Sequence, residues 1–221
     1  LRTIWMEMSR IHSHLLWLGL LADALGFESL FMQSWRLREK ILDMFDLMTG
    51  GRVIFSVNTP GGVLKDVDGD MLEQLNRTLA ELEKELRPVS DAFLREYTVG
   101  SRLHGLGILK PEQAVELGAV GPMLRASGVN YDARQLGYAA YPELEFEPVV
   151  LTEGDSYARC ELRLRELFQS FSLIREAIGK LPDGPIAVPV KGNPNGEYFM
   201  RIEQPRGEAV YYVRANGTKF L

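Results

Sequence analysis

The chain has 221 residues, 46% hydrophobic and 25% charged, with 25 basic and 30 acidic side chains for a net charge of −5. That length suits one large globular domain or two small ones, with a core that needs no disulfide or metal staple, and the mild acidity without a basic stripe excludes nucleic acid as a main partner. The single cysteine, Cys160, rules out an intrachain disulfide and favours a reducing compartment, while Asp23 and Glu28 break the apolar stretch from Leu15 to Met32 and so exclude a membrane span there.

Apolar residues at Ile4, Met8, Ile11, Leu15, Leu18, Ala22 and Leu25 recur three or four apart, which predicts a first helix stopped by Gly26. The chain starts at Leu1 inside this pattern and carries no secretory leader, so it reads as part of a longer sequence. A second helix is predicted from about Gln33 to Met48, with Leu37, Ile41, Met44, Phe45 and Met48 inward and Gly50-Gly51 as its end. Val53 to Val57 is a short β-branched run, followed by a loop through Asn58, Pro60, Gly61 and Gly62. Asp70 is placed to cap a long helix bearing Met71, Leu75, Leu79, Leu82 and Leu86, which Pro88 should kink or interrupt. Pro111 suits the first turn of a short helix that ends at Gly118.

Residues 120 to 154, rich in Gly, Pro and Tyr, are expected to be irregular and either functional or packed against something else. Thr152 and Asp155 resemble a capping box for a helix reaching about Lys180. Beyond Pro182-Asp183-Gly184-Pro185 the pattern becomes strand-like at Ile186–Val190, Tyr198–Ile202 and Ala209–Val213, with Asn193-Pro194-Asn195-Gly196 as a hairpin turn. The fold class is therefore mainly α with a small antiparallel sheet, an α+β arrangement of a helical region over residues 1–184 and a β region over 185–221.

Few side chains form a chemical constellation. His12 and His14 lie two apart on a helix and diverge by about 200°, which is wrong for a shared metal; one is expected to face a helix partner and the other a polar seam. Arg36, Arg38, Glu39 and Lys40 read as a solvated face, Met6, Met8, Met32, Met44, Met48 and Met71 as core filler, and Cys160 as a buried, inert thiol. Gly100, Gly105 and Gly107 do not follow a strand and open a helix, so they are not a dinucleotide fingerprint. Glu203-Gln204-Pro205-Arg206-Gly207-Glu208 stands out, because a stiff, narrow strand connection can present one guanidinium to a pocket. The plainer reading is a hairpin corner with a surface arginine.

Five segments, taken in order, resemble one superfamily: Arg10-Ile11-His12-Ser13-His14-Leu15-Leu16-Trp17-Leu18-Gly19; Phe31-Met32-Gln33-Ser34-Trp35-Arg36-Leu37-Arg38-Glu39-Lys40-Ile41; Asn58 with Gly61-Gly62-Val63; Gly121-Pro122 with Arg125-Ala126-Ser127-Gly128; and Gly154-Asp155-Ser156-Tyr157-Ala158-Arg159. This is similar to the large subunits of energy-converting nickel–iron hydrogenases and to the homologous quinone-site subunit of complex I, the 49 kDa or D subunit of NADH dehydrogenase. His12 and the run Phe31 to Trp35 resemble the hydrogenase branch more closely, whereas Glu208 is commoner in the complex I branch.

The resemblance implies the helical core of a hydrogenase large subunit, here the central part of one larger domain. It also implies an oxidoreductase that couples dihydrogen to electron transfer. In that family nickel and iron are held by two CxxC pairs, thiolates being suited to nickel. Neither pair is present, so no metal ligand is assigned in this chain and the fragment alone is expected to be inactive. Pro205 and Arg206 match the family motif whose arginine lies over the open face of the metals, and they are carried over as the catalytic-site residues that stand beside the centre without ligating it. Implied partners are a small subunit with iron–sulfur clusters and an ion-translocating membrane arm, with the chain peripheral on the cytoplasmic face. The alternative is a metal-free quinone-site or assembly subunit of a complex I-like NADH:quinone oxidoreductase.

Overall fold

A computed structural model of the protein describes residues 1–218, so the last three residues of the expected β region lie outside the described residues. Its elements, in order, are α1 (Arg2–Ala24), α2 (Glu28–Thr49), β1 (Asn58–Thr59), β2 (Gly62–Val63), α3 (Gly69–Arg95), α4 (Tyr97–Leu103), α5 (Pro111–Glu116), α6 (Pro122–Arg125), α7 (Ser156–Gly179), β3 (Asn195–Gln204) and β4 (Gly207–Asn216), with 3₁₀ turns at Ala133–Leu136 and Tyr141–Glu143. The helical character and the small antiparallel pairing at the end match the fold class expected from the sequence.

Four long helices make the body. α1 packs against α2 and α7, and α3 packs against α2 and α7. The predicted inward stripe of α1 is the buried one, with Ile4, Met8, Ile11, Leu15, Leu18 and Ala22 all in the core. Leu37, Ile41, Met44, Phe45 and Met48 of α2 join them, as do Leu75, Leu79, Leu82 and Leu86 of α3. α1 and α2 approach closely because Gly19 has no side chain: a Cβ there would sit 2.7 Å from the Trp35 ring.

Several boundaries differ from the sequence expectation for identifiable reasons. α2 starts at Glu28, five residues before the expected Gln33, because the α1–α2 turn is only three residues long. The cap of α3 is Asp68, whose side chain accepts from the Met71 amide at 2.8 Å, and Asp70 lies in the first turn instead. α3 runs through Pro88; both Pro88 and Lys84, whose carbonyl loses its donor, are exposed, so water can satisfy the orphaned oxygen. Asp155 alone caps α7, accepting from the Ala158 amide at 2.8 Å, so the expected box with Thr152 is not formed. Cys160 is buried as expected, but Met32 is 60% exposed and is not core filler.

The β elements differ most from the sequence expectation. Val53 to Val57 forms no strand, and pairing instead joins β1 to β2 across the turn that follows. Ile186 to Val190 runs beside that turn, with the Val63 amide donating to Ile186 O at 3.1 Å and the Val188 amide to Gly61 O at 3.0 Å, but makes only an isolated bridge at Ala187. Asn193-Pro194-Asn195-Gly196 is not a hairpin turn: β3 begins at Asn195 and pairs with β4 through the whole ladder from Asn195↔Asn216 to Gln204↔Gly207. The two residues left to turn the chain are Pro205 and Arg206.

Candidate functional site

The hairpin tip is seated on the helical body by close backbone contact and by a buried ionic network. Gly121 and Gly207 both have positive φ, 63° and 134°, and a Cβ on Gly121 would lie 2.3 Å from the Gly207 Cα. Glycine at both places lets the tip rest directly on the turn that opens α6.

The network begins on α1. Glu7, Arg10 and His14 share the inner face with the apolar stripe and are at most 1% exposed. Their spacing of three and then four residues puts them in one row facing α7 and the 126–146 segment. Glu7 accepts from the Tyr141 hydroxyl at 2.5 Å, the Ser170 hydroxyl at 2.7 Å and Arg134 Nη1 at 3.2 Å. Burial alone would raise its pKa; Arg10, Arg134 and the two hydroxyls outweigh that and hold it at about 2. His14 Nε2 lies 2.6 Å from Glu166 Oε2 of α7. Burial pulls this imidazole down to about 4 in spite of the carboxylate, so the neutral ring donates to Glu166.

Arg125, at the end of α6, joins the parts. Its guanidinium donates to Glu166 Oε1 at 2.6 Å and to Glu203 Oε1 at 2.7 Å, and lies 3.0 Å from Asp132 Oδ2. Asp132 in turn takes the fork of Arg134, at 3.0 Å from Nε and 2.8 Å from Nη2. Such a planar fork suits two carboxylate oxygens at once. Glu203, next to the hairpin tip, is held by Arg125, by the Ala133 amide at 3.2 Å on Oε2, and through its own amide donating to the Tyr138 hydroxyl at 2.9 Å. Arg10 Nη2 donates to the Glu203 carbonyl at 3.1 Å. Burial of these charges is tolerable only because each has partners.

Pro205 and Arg206 emerge from this anchored base. Arg206 is exposed and, among the described residues, has no hydrogen bond or ion pair. With Pro205 it lines two clefts against α1. One is bounded by His14, Leu16, Trp17, Leu20 and Arg163, the other by Met6, Ser9, His12 and Ser13. The structure therefore places Pro205 and Arg206 together on the walls of both clefts beside α1, with the guanidinium unpaired among the described residues. Glu208 is engaged elsewhere, accepting from the Tyr131 hydroxyl.

The two histidines diverge as expected. His14 faces Glu166 on α7, and His12 meets Arg38 on α2, whose Nη2 lies 2.7 Å from His12 Nε2. Arg38 is thus not part of a solvated face; its side chain is only 12% exposed. The buried ion network escaped the sequence reading altogether. Its trace was there in Glu7, Arg10 and His14, which share the core-facing period of α1.

No group of three or more His, Cys, Asp or Glu side chains among the described residues could hold a metal. Cys160, pushed up to about 12 by burial, is no thiolate ligand. The residues present thus do not fit as the ligand set of a nickel–iron centre. Among the described residues, no helix is long and apolar enough to cross a membrane.

Comparison with known proteins agrees with this architecture. Residues 24–193 match the family described as respiratory-chain NADH dehydrogenase, 49 Kd subunit. The chain is 37% identical to the C/D subunit of the NADH-quinone oxidoreductase of Phocaeicola vulgatus, covering 100% of this chain and 43% of that one. It is 36% identical to the alpha subunit of the membrane-bound hydrogenase of Pyrococcus furiosus, covering 97% of this chain and 54% of the relative. A chain in the structure of the membrane-bound sulfane sulfur reductase, an archaeal respiratory membrane complex, superposes with a TM-score of 0.92 at 35% identity, over 98% of this chain and 61% of that chain. The chain thus spans about half the length of the relatives it matches. With the fold and the family match in agreement, the chain belongs to the 49 kDa subunit family of respiratory-chain NADH dehydrogenases.

Proposed function

We propose that the chain is the central part of the large subunit of a membrane-associated, energy-converting oxidoreductase of the hydrogenase type, with residues 1–184 and 185–221 as regions of one larger domain. Pro205 and Arg206 form one wall of its redox site. The observation that carries this reading is Arg206 itself: an unpaired guanidinium at a narrow turn whose base is clamped by buried charges. A fixed positive group of that kind stabilises negative charge that develops on a bound substrate without reorganising first. The similarity to the alpha subunit of a membrane-bound hydrogenase supports the branch. On this reading nickel and iron are held by thiolates outside these residues, and an iron–sulfur partner subunit and a membrane arm complete the assembly on the cytoplasmic side.

A second reading, a metal-free quinone-site subunit of a complex I-like enzyme, is favoured by the similarity to the C/D subunit of an NADH-quinone oxidoreductase. The two separate in one experiment on the assembled complex. Stoichiometric nickel with dihydrogen-dependent methyl viologen reduction supports the hydrogenase. Quinone reduction without nickel overturns it in favour of the second reading.

A further inference from the structure

In the cleft of about 400 Å³ between α1 and the hairpin tip, Arg206 is accompanied by one imidazole. This is His12, half-buried, and its Nε2 is occupied by Arg38 Nη2 at 2.7 Å. A guanidinium can only donate, so Nε2 must be the acceptor and the ring proton of the neutral imidazole must sit on Nδ1. Among the described residues Nδ1 has no protein partner. Arg38 is itself held in place, stacked 5.2 Å from the Trp35 ring centroid and 3.9 Å from Glu39.

We propose that His12 is a hydrogen-bond donor of the Arg206 cleft, offering Nδ1–H to a carbonyl or anionic oxygen of the bound ligand, and that Arg38 is the positioning residue that imposes this tautomer. The inference rests on the functional reading above for its ligand, but not for its tautomer. The charged groups around His12 reinforce it. Arg38 faces it from α2, and Arg206 lines the same cleft from the turn. The one carboxylate lining the cleft, Glu203, is taken up by Arg125. Burial, then Arg38, holds His12 down at about 4, so the ring stays neutral through the physiological range. The pair Arg206 and His12 would then combine a charge with a directional donor, and the remaining lining groups, Ser9, Ser13 and Gln204, can adjust to either partner.

With only three histidines in the chain, selective ¹⁵N labelling of the full chain reads the tautomer directly. The expected result is an Nδ1–H ring for His12 that stays neutral well below pH 6. An Nε2–H ring, or ordinary titration near pH 6.5, overturns the assignment. Arg38→Leu removes the donor at Nε2 and so should free the ring to take either tautomer, while burial, the larger cause, still keeps His12 below its ordinary range; Arg38→Lys keeps a donor and the Nδ1–H form. His12→Phe should lose about tenfold in kcat/KM, the worth of one hydrogen bond, and His12→Asn, which places an amide N–H near the Nδ1 position, should recover part of that loss. Turnover is followed with dihydrogen and methyl viologen, and with decylubiquinone. Equal losses in the Asn and Phe variants would overturn the donor role. A complex active with neither pair would sink the functional reading, and the ¹⁵N tautomer would still decide His12.

Discussion

Replacing Arg125 with Met tests whether the buried ions hold the fold. Arg125 is fully buried and contacts three carboxylates, Asp132, Glu166 and Glu203. Methionine roughly matches the length of the side chain but leaves those acids without their shared cation. His14 and Arg134 still serve Glu166 and Asp132, so the loss is not that of three isolated charges. Breaking a buried pair by removing one partner costs about 3–5 kcal/mol, and at about 2–4 °C per kcal/mol for a chain of this size the melting temperature should fall by roughly 10 °C. The deficit should also shrink toward about pH 4, where the abandoned carboxylates take up protons in the variant. Urea denaturation at several pH values, with Arg36→Ala as a surface control, measures both effects. The Arg36–Glu85 pair is exposed and its loss should cost less than about 1 kcal/mol. An Arg125→Met deficit below about 1 kcal/mol, or one that does not change with pH, would refute the idea that Arg125 compensates those acids.

Three further outcomes are expected. In the assembled complex, Arg206→Lys keeps the charge but loses the rigid donor fork, so turnover should fall by about 10²–10³ with metal content and folding unchanged; retained activity would make Arg206 a surface residue. The purified chain should carry no stoichiometric nickel or iron by elemental analysis, since its described residues offer no ligand cluster, and one tight nickel per chain would contradict this. Stability should decline as acid is added in two stages. His12 and His14, neutral in the fold down to about 4, bind protons preferentially when unfolded, so stability is lost as pH falls from about 6.5. Glu7, held at about 2, adds a second loss below about pH 4.3. Melting curves between pH 7 and pH 3 would expose a flat response if this linkage were wrong.

The helices were legible because their apolar stripes repeat at 3.6 residues over many turns, a signal that tertiary contacts reinforce. Short β segments were not. Asn193-Pro194-Asn195-Gly196 has strong turn chemistry, yet the chain turns at Pro205-Arg206, because the close seat of Gly207 on Gly121 decides where the ladder closes. Val53 to Val57 has strand-like side chains but no neighbour to pair with. Arg206 was found through its place between two strands and its resemblance to a family motif, and the structure puts it at a cleft. The network behind it was hidden by the ordinary expectation that charged residues face water. Arg125 and Arg134 lie in an irregular stretch with no period to reveal burial, whereas Glu7, Arg10 and His14 could have been flagged from α1 alone.

Large apolar side chains such as Tyr198, Phe199, Tyr211 and Tyr212 of the β3–β4 ribbon are exposed, so side-chain burial does little to choose among possible pairings of its strands. Glu203 supplies the missing choice. A slip of one residue would carry its carboxylate to the opposite face, away from Arg125, and put Gln204 or Ile202 in its place among buried cations. The salt bridge therefore works as a frame marker for the ribbon. It leaves one alignment in which the chain can close, and in that alignment position 206 falls at the bend.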